Sequence, residues 1–225
     1  MAGTARVRPA RGPVVATGHA RFAERADRLH RESEGLRGRV ENRTHVIAKT
    51  FDRICDVLTH LGYIEGEKPL PQGKILAKIY AESDLLLTET IRNGILDELS
   101  APELLSVVSC MIFQSRSRDE YAPKMPHQNV SNALVEIAKL WAKLEDIENE
   151  FDVKTQKEPD LGFAYISYRW AQGNSLTNVL KGSDMSVGDF VRSAKQLMDL
   201  LMQIAGASEK LRPVCREAIK RLDRG

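Results

Sequence analysis

From Ser83 onward the chain is a succession of amphipathic segments, each opened by a capping residue and closed by glycine or a proline-containing loop. That punctuation constrains the fold more than any other feature, because it specifies helices joined by short connections. Ser83 opens a segment with Leu85, Leu86, Leu87, Ile91, Ile95, Leu96 and Leu99. Ser100-Ala101-Pro102-Glu103 is a capping box with proline near the helix start, and it leads into Leu104, Leu105, Val107, Val108, Met111 and Ile112. Residues 117–128 read as a polar loop holding Pro123 and Pro126. Ala133, Leu134, Ile137, Leu140, Trp141, Leu144 and Ile147 then share one face of a long helix. After a loop at 154–160, short helices are predicted from Leu161 to Ala171 and from Ser175 to Gly182, followed by a helix over 187–205 that Gly206 ends and a last helix capped by Ser208.

The first part of the chain reads differently. Residues 1–19 carry Gly, Pro, Ala and Arg without an acidic residue or a periodicity, the pattern of a flexible arm or an expression remnant. Leu29, Leu36, Val40, Ile47, Phe51, Ile54 and Leu58 recur at helical spacings, with Arg and Glu alternating between them. Gly35 and Gly38 suggest a break in this helix. Gly62 is placed to end it, and the stretch to Gly73 has room for two very short strands before a helix starting near Lys74. The expected fold is mainly α: a helical bundle over 82–225, preceded at 20–81 by a long helix and a partial winged-helix-like segment with one small hairpin.

In Gly66-Glu67-Lys68-Pro69-Leu70-Pro71-Gln72-Gly73-Lys74-Ile75 the glycines are separated by six residues rather than four, and Ile75 stands where a phosphate-binding loop needs Ser or Thr for magnesium. His19, His30, His45, His60 and His127 are never at metal-ligand spacing with one another or with Cys or Glu. Cys55, Cys110 and Cys215 lie far apart and suit a reducing cytoplasm, and Cys110 reads as a core residue. No apolar run approaches the ~20 residues that span a bilayer. The net charge of +2 hides an asymmetry: residues 1–60 hold 12 Lys/Arg against 7 Asp/Glu, and residues 61–225 hold 21 against 24. Contact with nucleic acid must therefore come from local stripes.

One such stripe lies on the predicted 187–205 helix. Phe190, Ala194, Leu197, Leu201 and Ile204 form one face, while Arg192, Gln196, Asp199 and Gln203 follow one another on the opposite side with Lys195 beside them. A cation, two amides and an acid can bond phosphate, ribose hydroxyls and base edges along a single strand. The same pattern also describes the wet side of any amphipathic helix. Trp170, near the glycine that ends its helix, reads either as a base-stacking residue or as a packing anchor.

Several segments resemble the DSHCT domain that closes exosome-associated superfamily-two RNA helicases and actinobacterial HelY-type helicases. They are residues 83–113 (SDLLLTETIRNGILDELSAPELLSVVSCMIF), 165–173 (YISYRWAQG) and 184–204 (DMSVGDFVRSAKQLMDLLMQI), together with Val40-Glu41-Asn42-Arg43-Thr44 and Phe51-Asp52-Arg53. The resemblance covers residues 20–225. It implies a C-terminal accessory module of an ATP-dependent RNA helicase that contacts single-stranded RNA and regulates the motor. ATP and magnesium would be held by RecA-like motor domains lying outside this chain, with no ATPase site in the chain itself. It also implies that the 187–205 helix is the ratchet-like helix of the family. RNA contacts would then fall at Gln196 and Asp199, with Arg192 one turn earlier, although Gln196 departs from the basic residue of the eukaryotic members. The long N-terminal helix would be the returning stalk of an arch-like insertion. The expected partners are RNA, the motor domains and RNA-decay factors, in the cytoplasm and without a membrane. The alternatives are a helical bundle that docks protein factors and an accessory domain of a DNA helicase.

Overall fold

The computed structural model describes residues 13–115 and 124–224. The chain divides into two units, 1–52 and 53–225. Of the expected flexible arm, residues 1–12 lie outside the described residues, and helix α1 (Pro13–His60) begins within its last stretch.

Residues 13–52 of α1 form the described part of the first unit, and the break expected at Gly35 and Gly38 is absent. Each glycine costs about 1 kcal/mol relative to alanine in a helix interior, whereas a break would orphan the carbonyls and amides of two new helix ends. Local bonds recover a small part of that cost: Arg28 Nε donates to Glu32 at 3.0 Å and Arg39 Nε to the Gly35 carbonyl at 3.2 Å.

The second unit starts with the end of α1. Gly62 (φ 73°) reverses the chain, and β1 (Ile64–Glu65) pairs antiparallel with β2 (Lys68–Pro69) around Gly66 (φ 60°). The next helix, α2 (Pro71–Leu76), begins at Pro71 rather than near Lys74. Gly73 on α2 lies so close to the hairpin that an added Cβ would sit 2.3 Å from the Tyr63 carbonyl oxygen. The Tyr63 side chain is fully buried and its hydroxyl donates to Glu89 at 2.5 Å, tying the hairpin to α3 (Asp84–Arg92). Burial, followed by the bond to Glu89, raises the Tyr63 pKa well above the ordinary phenol value. The predicted continuation of α3 to Leu99 does not form, because Gly94 (φ 69°) adopts a left-handed conformation just after Asn93.

Helix α4 (Ala101–Ser109) is the centre of the bundle, and its interior residues are buried on every side. It packs against α5 (Gln128–Glu150), α6 (Ala164–Ala171), α8 (Val187–Ala207) and α9 (Arg212–Leu222). The α4–α6 contact runs over serines: Ser106 Oγ donates to the Ala164 carbonyl at 2.8 Å, and Ser167 Oγ lies 3.2 Å from Ser109 Oγ. A short 3-10 turn, Leu161–Phe163, precedes α6, and α7 (Leu176–Leu180) connects it toward α8.

The capping box is present. Glu103 accepts from the Ser100 amide at 2.8 Å and from Ser100 Oγ at 2.6 Å. Its other oxygen accepts from Asn129 Nδ2 at 2.9 Å and lies 2.7 Å from His127 Nδ1, so one carboxylate also anchors the start of α5. The same His127 nitrogen lies 3.3 Å from the Asn129 amide. Burial by itself raises the Glu103 pKa, but the bonds from Ser100 and Asn129 and the charge of His127 outweigh it, and the carboxyl is held below its ordinary range.

Candidate nucleic-acid interface

Helix α8 begins at Ser186, whose Oγ accepts from the Asp189 amide at 3.1 Å and donates to the Asp189 carboxylate at 2.7 Å. This reciprocal cap fixes where the helix begins. Phe190, Ala194, Leu197, Leu200, Leu201 and Ile204 are buried in the core of the second unit. Arg192, Lys195, Gln196 and Asp199 are exposed on the other side. Arg192 extends into solvent with 69% of its side chain accessible, and its guanidinium lies 3.6 Å from the Asp189 carboxylate. A bond of that length at an exposed site leaves the charge available to a phosphate at little cost. From Arg192 to Gln203 the stripe measures about 16 Å along the helix axis.

Gln203 differs from the other members of the stripe. It is half-buried, and its Oε1 accepts from the backbone amide of Tyr80 at 2.7 Å. The segment before α3 therefore lies against the end of α8, where Lys78 Nζ also donates to the Gly206 carbonyl at 3.1 Å. Arg212 Nε donates to the Ala205 carbonyl at 3.1 Å. These two donors satisfy terminal carbonyls, which explains why the helix runs through Gly206 to Ala207 instead of ending at Gly206 as the sequence suggests.

Trp170 is packed. Its indole Nε1 donates to the Leu222 carbonyl at 2.8 Å, its ring meets Phe190 edge-on at 5.0 Å, and the Arg224 guanidinium covers it at 3.8 Å. In this arrangement it anchors α6 to α8 and α9, with the Arg224 guanidinium over its ring and Phe190 beside it.

Two features of this surface were not read from the sequence. Val187, Val191 and Met202 are exposed along the edge of α8 beside Lys195, forming an apolar shoulder to the polar stripe. Tyr80 is 81% exposed, next to the point where its own amide meets Gln203. The helical repeat contains the first feature, but the second depends on a loop 123 positions away from Gln203 in sequence.

The rest of the motif reading has a structural counterpart. Gly73, in the stretch compared with a phosphate loop, is pressed on the Tyr63 carbonyl. Cys110 is 1% exposed; burial, and then the charge of Asp160, push its thiol up to about 12 and keep it protonated. Among the described residues no helix is long and apolar enough to cross a membrane.

Comparison with known proteins places this geometry in a family. The model of the DSHCT (NUC185) domain matches residues 66–225. The Probable helicase HelY of Mycobacterium tuberculosis (strain ATCC 25618 / H37Rv) is 34% identical over 222 residues, 91% of this chain and 24% of that protein. The Exosome RNA helicase MTR4 of Homo sapiens is 29% identical over 162 residues, 69% of this chain and 15% of that protein. The DExH-box ATP-dependent RNA helicase DExH9 of Arabidopsis thaliana is 27% identical over 160 residues, again 69% of this chain and 16% of the relative. The chain thus spans about a quarter of the HelY length and less of the others. With residues 66–225, most of the chain, matched by the family model, this chain belongs to the DSHCT (NUC185) domain family.

Proposed function

We propose that the chain is an accessory module of an ATP-dependent RNA helicase, and that it contacts single-stranded RNA through the outward face of α8. The observation that carries this reading is the separation of that helix into two faces. Leu197, Leu201 and Ile204 are fully buried while Arg192, Lys195, Gln196 and Asp199 stand together in solvent on a rigid rod. Residues held this way keep a fixed spacing, and a strand passing along them meets cation, amide and acid in a constant order. The names of the relatives, which are helicases and in several cases RNA helicases, support the same reading. ATP and magnesium would belong to RecA-like motor domains outside residues 1–225, which this module would regulate by holding the strand. Cytoplasmic RNA decay is the setting this reading suggests.

The apolar shoulder of Val187, Val191 and Met202 favours a second reading, in which the same face docks a protein factor. Binding of the chain to single-stranded RNA, against DNA of the same sequence, separates the two, with the 2′-hydroxyl as the discriminating group. The expected result is weak, salt-sensitive RNA binding. Arg192→Ala should lower the affinity by on the order of 1 kcal/mol and reduce the slope of log affinity against log salt by about 0.7. No binding to RNA at low salt, or binding indifferent to Arg192→Ala, would refute the proposal.

A further inference from the structure

We infer that Tyr80 is a base-stacking residue that extends the single-strand path of α8 beyond Gln203. Exposure of one aromatic side chain says little, since isolated apolar residues are common on protein surfaces. Three observations make Tyr80 different. It is the most exposed of the large hydrophobic residues described, at 81%. Its backbone is held in place: the preceding Ile79 is buried in the core, the following Ala81 packs against it, and the Tyr80 amide donates to Gln203 Oε1 at 2.7 Å. Lys78, two residues earlier, is itself tied to α8 through the Gly206 carbonyl. The ring is therefore displayed from a fixed segment. Finally, its tether is Gln203, the last member of the polar stripe, so the exposed residue is fixed at the end of the row formed by Arg192, Gln196 and Asp199.

The stripe supplies groups for phosphate, ribose and base edges but no π-face, and the ring of Trp170 is covered by Phe190 and Arg224. Tyr80 supplies that surface. Among the described residues no aromatic ring or guanidinium packs on it, so a base can stack without displacing a protein partner. Stacking tolerates every base, as a strand moved along a helix requires. Gln203 acts here as a positioning residue, because its carbonyl oxygen is occupied in fixing the Tyr80 backbone.

This inference rests on the RNA-binding reading of α8, and its test separates the two. The affinity of the full chain for an oligouridine is measured for the parent, Tyr80→Ala, Tyr80→Phe and Arg192→Ala, together with the fluorescence of a single 2-aminopurine placed at each position in turn. Tyr80→Ala should weaken binding on the order of fivefold or more, Tyr80→Phe should leave it near the parental value, and quenching of the 2-aminopurine at one position should vanish only in Tyr80→Ala. A thermal melt of Tyr80→Ala matching the parent shows that the loss is local. If Arg192→Ala weakens binding and Tyr80→Ala does not, stacking is wrong and the α8 interface stands. Loss in Tyr80→Phe equal to that in Tyr80→Ala assigns the effect to the hydroxyl and overturns stacking. If the parent chain binds no RNA, both fall.

Discussion

Replacing Glu103 tests how the bundle is held together, because one carboxylate caps α4 and fixes the start of α5. In the folded chain it is 5% exposed and takes the Ser100 amide at 2.8 Å, Ser100 Oγ at 2.6 Å, Asn129 Nδ2 at 2.9 Å and His127 Nδ1 at 2.7 Å. Loss of the capping contacts alone costs about 1 kcal/mol. The bonds to Asn129 and His127 are charge-assisted, but both partners reach solvent and can recover water, so they add about 1–2 kcal/mol together rather than their full gross strength. Glu103→Ala should therefore lose about 2–3 kcal/mol. Glu103→Gln keeps the shape and one acceptor and should lose about 1 kcal/mol. The pH dependence sharpens the test. The folded-state pKa of Glu103 lies below its ordinary value of 4.5, so its stabilisation is present above that value and is lost as pH falls through the lower, folded one. Urea titrations at constant ionic strength, at neutral pH and through the acid range below 4.5, report both effects. The parent should lose more stability on acidification than Glu103→Gln does. Equal acid losses in the two proteins, or a Glu103→Ala cost under about 0.5 kcal/mol, would refute the assignment of Glu103 as the joint between α4 and α5.

The two faces of α8 should separate cleanly in stability measurements. Leu197→Ala, at a fully buried position, should cost roughly 2–5 kcal/mol by leaving a cavity, whereas Arg192→Ala, Gln196→Ala and Asp199→Ala should each change the unfolding free energy by less than about 0.5 kcal/mol. If the latter variants unfold the bundle, the stripe is structural. Gly73→Ala should destabilise the second unit by more than about 2 kcal/mol, read as a fall in Tm, because its Cβ would meet a backbone oxygen rather than a flexible side chain. A melt matching the parent would show that the hairpin is not held by that contact.

Most of the helices were legible because their signals are local. Ser83, Ser100, Ser175 and Ser186 stand at the starts of helices, and Gly62, Gly173 and Gly182 take the positive φ angles that end them. Where the reading slipped, a glycine was judged without its surroundings. Gly94 turns left-handed and stops α3 early, whereas Gly206 remains helical because Lys78 from a distant segment and Arg212 from the start of α9 bond the last carbonyls. Gly35 and Gly38 stay helical in a run of local side-chain bonds. Glycine permits a break, and the partners available to the freed backbone groups decide whether one occurs.

The same distinction governs the candidate site. Periodicity alone separates the residues of α8 that enter the core from those that do not, since burial of one face follows from a 3.6-residue repeat. It therefore placed Arg192, Lys195, Gln196 and Asp199 in solvent correctly. What an outward residue meets is set by the tertiary path, which is why Gln203 turned out to hold the backbone of Tyr80. That contact links the helix to the loop before α3 and gives the stripe a defined end. A face built this way can change Arg192, Gln196 and Asp199 with little effect on folding, because these three are exposed and the core face of α8 supplies the stability. Substitutions that alter RNA affinity without moving Tm are the signature this division predicts, and Arg192, Gln196, Asp199 and Tyr80 are the positions at which it should be found.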